Sequence, residues 1–246
     1  MCRHLAYLGE PLPIGRLVLE PPFGLHRQSW APRTQQYGTV NADGFGVGWY
    51  ADGDPIPARY RRAGPIWVDG GFADLARVVR TRALLAAVRS ATDGCAPGEM
   101  AAAPFGADRW LFSHNGRLPG WPGELGALAA RLPAEELLAL EARTDSALVW
   151  GLVLHRLRAG ATPGEALSDT VRTVAEHSAA ARLNLLLTDG SSIAATAWGD
   201  TLCYRRRPEG GVVVASEPDD DSTDWTHPPD RSLLLATAHG TTVEPL

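Results

Sequence analysis

The segment "TDSALVWGLVLHRLRAG" (144–160), wound as a helix, is apolar around almost its whole circumference. Such a helix has to be covered on several sides, so it commits the chain to a layered fold with a sheet beneath it. Thr144 or Asp145 is placed to cap its start, and Gly160 to end it. A second, amphipathic helix is expected at 162–178, and short ones at 123–131 and 134–141. Upstream, strand patterns occupy 2–9, 44–50, 58–63 and 109–116, with helical spacing at 72–81. The run "ALLAAVRSAT" (83–92) reads as a buried strand, although its alanines leave a helix open. Residues 11–38 are punctuated by Pro11, Pro13, Pro21, Pro22 and Pro32 and read as loop. Downstream, strands are expected at 182–188, 192–198, 201–206, 211–216, 231–237 and 241–244. Strands, a helical middle, then strands again indicate an α+β fold. Its sheets are largely antiparallel, and helices cover the outer faces of two stacked sheets. With no repeat and no Ser/Gly linker, residues 1–246 are expected to form one domain.

Composition removes several functions. The net charge of −5 disfavours binding to a phosphate backbone, so no nucleic-acid partner is expected. No apolar run approaches membrane-spanning length, and Arg3, His4 and Gly9 break the short one at the N-terminus; a cytoplasmic protein without membrane contact is expected. All 23 basic residues are arginine, which excludes Schiff-base lysines and Walker-type phosphate loops. Cys2, Cys95 and Cys203 form neither a disulfide framework nor a CxxC pair, and the seven histidines are scattered. Neither a metal nor a cofactor is expected.

Cys2 sits directly behind the initiator methionine and opens a strand. Once Met1 is removed, one residue carries both a thiol and a free α-amine. An α-amine titrates near 7.7–8.0, so part of it is neutral near pH 7 and can take the thiol proton without a histidine. A thiolate attacking an amide carbonyl needs donors for the oxyanion, and Asn115 with Gly116 offers a side-chain amide and a close-approaching backbone N–H. Arg89 can pair with a carboxylate, Thr92 can add a hydroxyl, and Asp145 can hold an ammonium. Taken singly, "RSAT" and "SHNG" read as strand-end turns and "TD" as a helix cap. Their occurrence together with Cys2 turns the reading toward a site.

Together, "MCRHLAYLG", "NADGFGVGWY", "VRSAT", "SHNG", "TDSALV" and "SEP" resemble the class II glutamine amidotransferases, a group of N-terminal nucleophile hydrolases. The resemblance runs in order over nearly the whole chain. "MCRHLA", "NADG" and the series "RLN", "WGDTL" and "ASEP" resemble more narrowly the free-standing branch that hydrolyses γ-glutamyl-hercynylcysteine S-oxide in ergothioneine biosynthesis. The resemblance implies a four-layer αββα sandwich, Cys2 as nucleophile, Asn115 and Gly116 as the oxyanion hole, and Arg89, Thr92 and Asp145 on the glutamyl α-groups. His114 is read as a packed, hydrogen-bonded histidine.

The glutaminase motifs and the strands of the implied fold use the whole chain, which leaves no acceptor domain for released ammonia. Hydrolysis of a small γ-glutamyl amide is therefore favoured. Two alternatives remain: a glutaminase subunit that feeds ammonia to a partner, and a non-catalytic γ-glutamyl-binding protein that keeps Met1. A trimethylammonium group on the substrate would suit aromatic faces, with Trp30 and Trp121 as candidates. The stretch "EPDDDSTD" (217–224) reads as a solvated loop, Cys203 as an inert strand residue, and Cys95 as an inert residue of an exposed Gly/Pro loop.

Overall fold

Twelve strands build two six-stranded sheets in the computed structural model, which describes residues 2–246. The expectation about Met1 lies outside the described residues. In chain order the strands are β1 Arg3–Pro13, β2 Phe45–Trp49, β3 Ala58–Arg62, β4 Arg80–Val88, β5 Phe105–Ala107 and β6 Trp110–Arg117. They continue as β7 Arg182–Thr188, β8 Ser192–Ala197, β9 Cys203–Arg206, β10 Gly211–Ala215, β11 Ser232–Thr237 and β12 Thr241–Pro245. The first sheet has the order β3-β2-β4-β1-β10-β9 and the second β12-β11-β8-β7-β6-β5. Every ladder in them is antiparallel.

Helices α1 Gly15–Val18, α2 Leu25–Gln28 and α3 Gly70–Val78 belong with the first sheet. Helices α4 Gly126–Ala129, α5 Ala134–Leu138, α6 Asp145–Arg158 and α7 Pro163–His177 belong with the second. Three apolar layers result. Leu5, Tyr7, Phe45 and Phe72 fill the layer between the first sheet and its helices. Ala6, Ala83, Leu111, Leu186 and Ala195 lie between the sheets, where the many alanines let the two faces interdigitate. Phe112, Trp150, Val153 and Leu185 pack the second sheet onto α6 and α7. This is the four-layer αββα arrangement of α+β type, and the fully buried middle of α6 explains its all-round apolarity.

Several details differ from expectation. Strand β1 continues to Pro13, and its ladder with β4 shifts register between Leu8 and Leu12. That irregularity accommodates Pro11, which has no N–H to give a ladder. The ambiguous run at 83–92 is strand through Val88, because β4 pairs with β1 on one side and β2 on the other. Helix α3 stops at Val78, where β4 begins two residues later. The short helices α1 and α2 interrupt the stretch expected as loop, and β5 carries too few residues for a periodic signal.

The acidic stretch is not simply solvated. Glu217 and Asp219 are buried, and Glu217 accepts the backbone N–H groups of Arg33 and Thr34 at 2.9 and 2.8 Å. Arg205 pairs with both Asp219 and Asp220. No described helix is long and apolar enough to cross a membrane.

Candidate active site

The start of β1, the end of β4, the end of β6 and the first turn of α6 meet at one corner of the sandwich. Cys2, Arg89, Thr92, Gly116 and Asp145 line a single cleft there, with Ser90, Cys95, His114 and Ser146 among its other walls. Its free space is about 20 Å3, close to the room for one water molecule. Asn115 is fully buried in the same strand end of β6, between His114 and Gly116.

Register places each group. Arg3 lies opposite Val88 in the β1–β4 ladder, so Cys2 enters the fold beside Arg89, with its Sγ 3.8 Å from the Ser90 carbonyl oxygen. His4, Ala6 and Leu8 alternate toward the layer between the sheets, and His4 Nδ1 meets Ser113 Oγ at 3.1 Å. The same alternation puts Cys2 on that face of β1, and Ser113 and Asn115 on the facing side of β6. Asn115 Nδ2 and Oδ1 have no hydrogen-bond partner among the described residues, and neither does His4 Nε2. Buried amides are normally satisfied, so an unpartnered one on the face of β6 that looks toward β1 is an available donor.

Arg89 is held by the "NADG" turn. Its N–H donates to the Gly44 carbonyl at 2.7 Å, and its carbonyl accepts from the Asp43 N–H at 2.9 Å. The guanidinium donates to the carbonyls of Asp43 and Ala96 at 3.2 and 3.1 Å. Gly44 has φ +137°, a conformation that favours glycine, and a Cβ there would press on the Arg62 carbonyl and Ala102. Thr144 caps α6 by accepting the Ala147 N–H at 3.0 Å. Asp145 is thereby free to face the cleft. Its carboxylate accepts the N–H groups of Ser146 and Leu118 at 2.8 and 3.1 Å. It is 2% exposed and has no ion pair among the described residues.

His114 is buried and doubly bonded. Its Nε2 lies 2.8 Å from the Arg182 carbonyl oxygen and must donate to it, so Nδ1 of the neutral ring accepts the Ser146 hydroxyl at 3.0 Å. Burial pushes the His114 pKa down and takes His4 to about 3. Both rings are neutral at physiological pH, which suits positioning roles and not proton transfer. Gly116 has a separate steric reason. A Cβ there would collide with the Arg182 carbonyl and with His114 Nε2.

Cys95 departs from the exposed-loop reading. It is half-buried in the cleft wall, and its thiol donates to Asp145 Oδ1 at 3.6 Å. Burial and the Asp145 charge push its pKa up to about 11, so it stays protonated. No sequence signal marks it beyond its place in the loop that follows Arg89. Trp30 and Trp121 are not in the cleft. Trp30 packs edge-on against His26 and Trp67, and Trp121 lines a separate apolar pocket with Leu125 and Leu148. Among the described residues no three His, Cys, Asp or Glu side chains are grouped to hold a metal.

A family model described as glutamine amidotransferases class-II matches residues 21–244. The gamma-glutamyl-hercynylcysteine sulfoxide hydrolase of Mycolicibacterium smegmatis is 44% identical over 95% of each chain. That of Mycobacterium tuberculosis is 44% identical over 100% of this chain and 97% of its own. Among solved structures, a glutamine aminotransferase class-II domain protein from Silicibacter pomeroyi aligns over 99% of both chains, with a TM-score of 0.72 and 24% identity. The glutamine phosphoribosylpyrophosphate amidotransferase of B. subtilis aligns over all of this chain and 49% of its own, at TM-score 0.69 and 16% identity. At those identities the structures speak for the fold.

Proposed function

The chain belongs to the class II glutamine amidotransferase family, and from that premise we propose that it hydrolyses the γ-glutamyl amide of γ-glutamyl-hercynylcysteine S-oxide to glutamate and hercynylcysteine S-oxide. The observation that carries the reading is the full-length match, at 44% identity, to relatives named for that hydrolysis.

In the proposed mechanism Cys2 is the N-terminal residue, and its α-amine takes the thiol proton. The thiolate adds to the γ-carbonyl carbon, and the oxyanion is held by the Asn115 amide and the Gly116 N–H. The intermediate collapses as the C–N bond breaks, and the α-amine returns the proton to the leaving amine. A γ-glutamyl thioester remains on Cys2. Water, deprotonated by the same amine, then attacks the thioester carbonyl; the C–S bond breaks, glutamate leaves, and the amine returns the proton to the Cys2 thiolate. Arg89 binds the α-carboxylate of the glutamyl group, Thr92 adds a hydroxyl contact, and Asp145 binds the α-ammonium.

Three features support these roles. Cys2 shares its cleft with Arg89 and Asp145; the Asn115 amide is unpartnered; and Gly116 tolerates no side chain. The proposal treats residues 1–246 as one domain in the cytoplasm, which the three unpaired thiols favour.

The test is steady-state glutamate release from γ-glutamyl-hercynylcysteine S-oxide, with γ-glutamylcysteine and glutamine as comparators, and with intact mass reporting the N-terminal residue. Turnover is expected from a chain that begins at Cys2 and not from Cys2→Ala. Turnover by Cys2→Ala, or faster cleavage of glutamine with release of ammonia, overturns the proposal.

A further inference from the structure

The site described so far holds the glutamyl half of the substrate and leaves the other half unassigned. Three motifs of the narrower resemblance, "RLN" (182–184), "WGDTL" (198–202) and "SEP" (216–218), place no side chain in the lining of that cleft. In the fold they interlock. Asn184 donates to the carbonyls of Asp200 and Thr201 and accepts the Trp198 N–H. The Thr201 hydroxyl donates to the Ser216 carbonyl at 2.7 Å, and Glu217 accepts from Arg33 and Thr34. The loop that begins at Arg33 is thereby pinned over the start of β7, and it carries Tyr37 with it.

Arg182 stands where these elements converge. It pairs with Arg117 across the β6–β7 ladder, as Asn184 pairs with Asn115. Arg182, Asn184 and Leu186 alternate on one face of β7, and Leu186 belongs to the layer between the sheets. The Arg182 side chain therefore leaves the sheet on the same face as the Asn115 amide, one diagonal step along the ladder. Its guanidinium carbon lies 4.0 Å from the centre of the Tyr37 ring. Its Nε is buried without a hydrogen-bond partner, and the group has no carboxylate partner among the described residues. None of the acids on the neighbouring motifs pairs with Arg182: Asp200 Oδ1 takes Arg3 and the Thr201 N–H while its Oδ2 is buried without a partner, Asp230 takes the Gly199 N–H, and Glu217 takes the loop. A planar cation, stacked, oriented and left without an acid, is a site prepared for a carboxylate.

We infer that Arg182 is a specificity-determining residue that binds the carboxylate of the leaving group, with Tyr37 holding its guanidinium plane. This rests on the proposed reaction. A γ-glutamyl amide of an amino acid carries a carboxylate one carbon from the scissile nitrogen, and Arg182 stands one ladder step from the Asn115 amide that is proposed to hold the scissile carbonyl oxygen. Glutamine, whose leaving group is ammonia, has no such carboxylate. Arg182 therefore also separates peptide-like γ-glutamyl amides from free glutamine.

The experiment compares kcat/KM on γ-glutamylcysteine, its C-terminal carboxamide and glutamine. The native enzyme is expected to prefer the free acid to the carboxamide by roughly 10- to 100-fold, the worth of a charge-assisted bond. Arg182→Gln is expected to bring that ratio close to one, and Tyr37→Leu to lower it in part. Should Arg182→Gln fail to fold, Arg182→Lys reads the same ratio, retaining charge without the planar fork, and is expected to fall between. A native enzyme that cleaves acid and carboxamide equally well, or an Arg182→Gln enzyme that keeps the native ratio, overturns this assignment alone. An enzyme that releases glutamate from none of the three, nor from the sulfoxide conjugate, overturns the underlying reaction together with it.

Discussion

Arg89 and Asp145 line one cleft, carry opposite charges and form no ion pair with each other. The guanidinium spends donors on backbone carbonyls, and the carboxylate is satisfied by backbone N–H groups and a thiol. Two buried opposite charges held apart in this way fit a zwitterion, whose carboxylate and ammonium complete both. A glutaryl amide, which lacks the α-ammonium, should therefore lose kcat/KM by roughly 10- to 100-fold against its γ-glutamyl counterpart, mainly through KM. Comparable efficiency on the two would remove Asp145 from substrate binding. Altering the substrate is the cleaner route, because Asp145→Asn would turn an amide N–H toward one of the N–H groups the carboxylate now accepts.

Asn115→Ala separates catalysis from stability. The side chain's polar atoms bond to nothing in the described protein, so their removal breaks no hydrogen bond. The expected result is a fall in kcat of about 100- to 1,000-fold, the range for a lost oxyanion donor. The melting temperature should hold or rise. A large loss of stability with kcat unchanged would mark Asn115 as structural.

Gly116→Ala is expected to fail on both counts. The new methyl would collide with the Arg182 carbonyl and with His114 Nε2, and those two atoms are hydrogen-bonded to each other. Circular dichroism melts and activity should fall together. A variant that melts like the native protein would show that β6 and β7 can separate here without consequence.

The three thiols should react unequally. Cys95 is held near 11 by burial and by Asp145, and burial raises Cys203 further from the thiolate form. Limiting iodoacetamide at pH 7.5 should therefore alkylate Cys2 ahead of the other two, with loss of activity tracking that single label by peptide mass mapping. Faster labelling of Cys95 would contradict its environment in the cleft wall.

His4 links stability to pH. In the unfolded chain it takes up a proton near 6.5; in the fold, burial and the nearby His114 and Arg3 hold it at about 3. On acidification the unfolded state binds the proton first, so stability is full above about 6.5 and falls as the pH drops toward 3. The slope for this one group is about 1.4 kcal/mol per pH unit. Calorimetric melts between pH 4 and 7 should show His4→Asn with a flatter dependence than the native protein. Parallel slopes would mean that His4 is protonated in the fold.

The layered architecture was legible in the linear pattern because it follows from local periodicity. The all-round apolar stretch at 144–160 had to be enclosed, and the alternating runs on either side supplied the sheets. The candidate residues at the start of β1, the ends of β4 and β6 and the head of α6 were legible for a related reason: each carries its polar group where a regular element stops. What lies between elements distant in sequence was not legible. Cys95 meets Asp145 only because the loop after Arg89 folds back onto α6. Glu217 is buried because an acid that reads as solvated finds the N–H groups of Arg33 and Thr34 from the far end of the chain. Arg182 lacks an acid because ladder register and loop packing assign its neighbours elsewhere. Periodicity is a property of a few successive residues and can be read from them. Which polar group satisfies which, and which is left waiting for a ligand, depends on every element packed around it, so only the tertiary structure decides it.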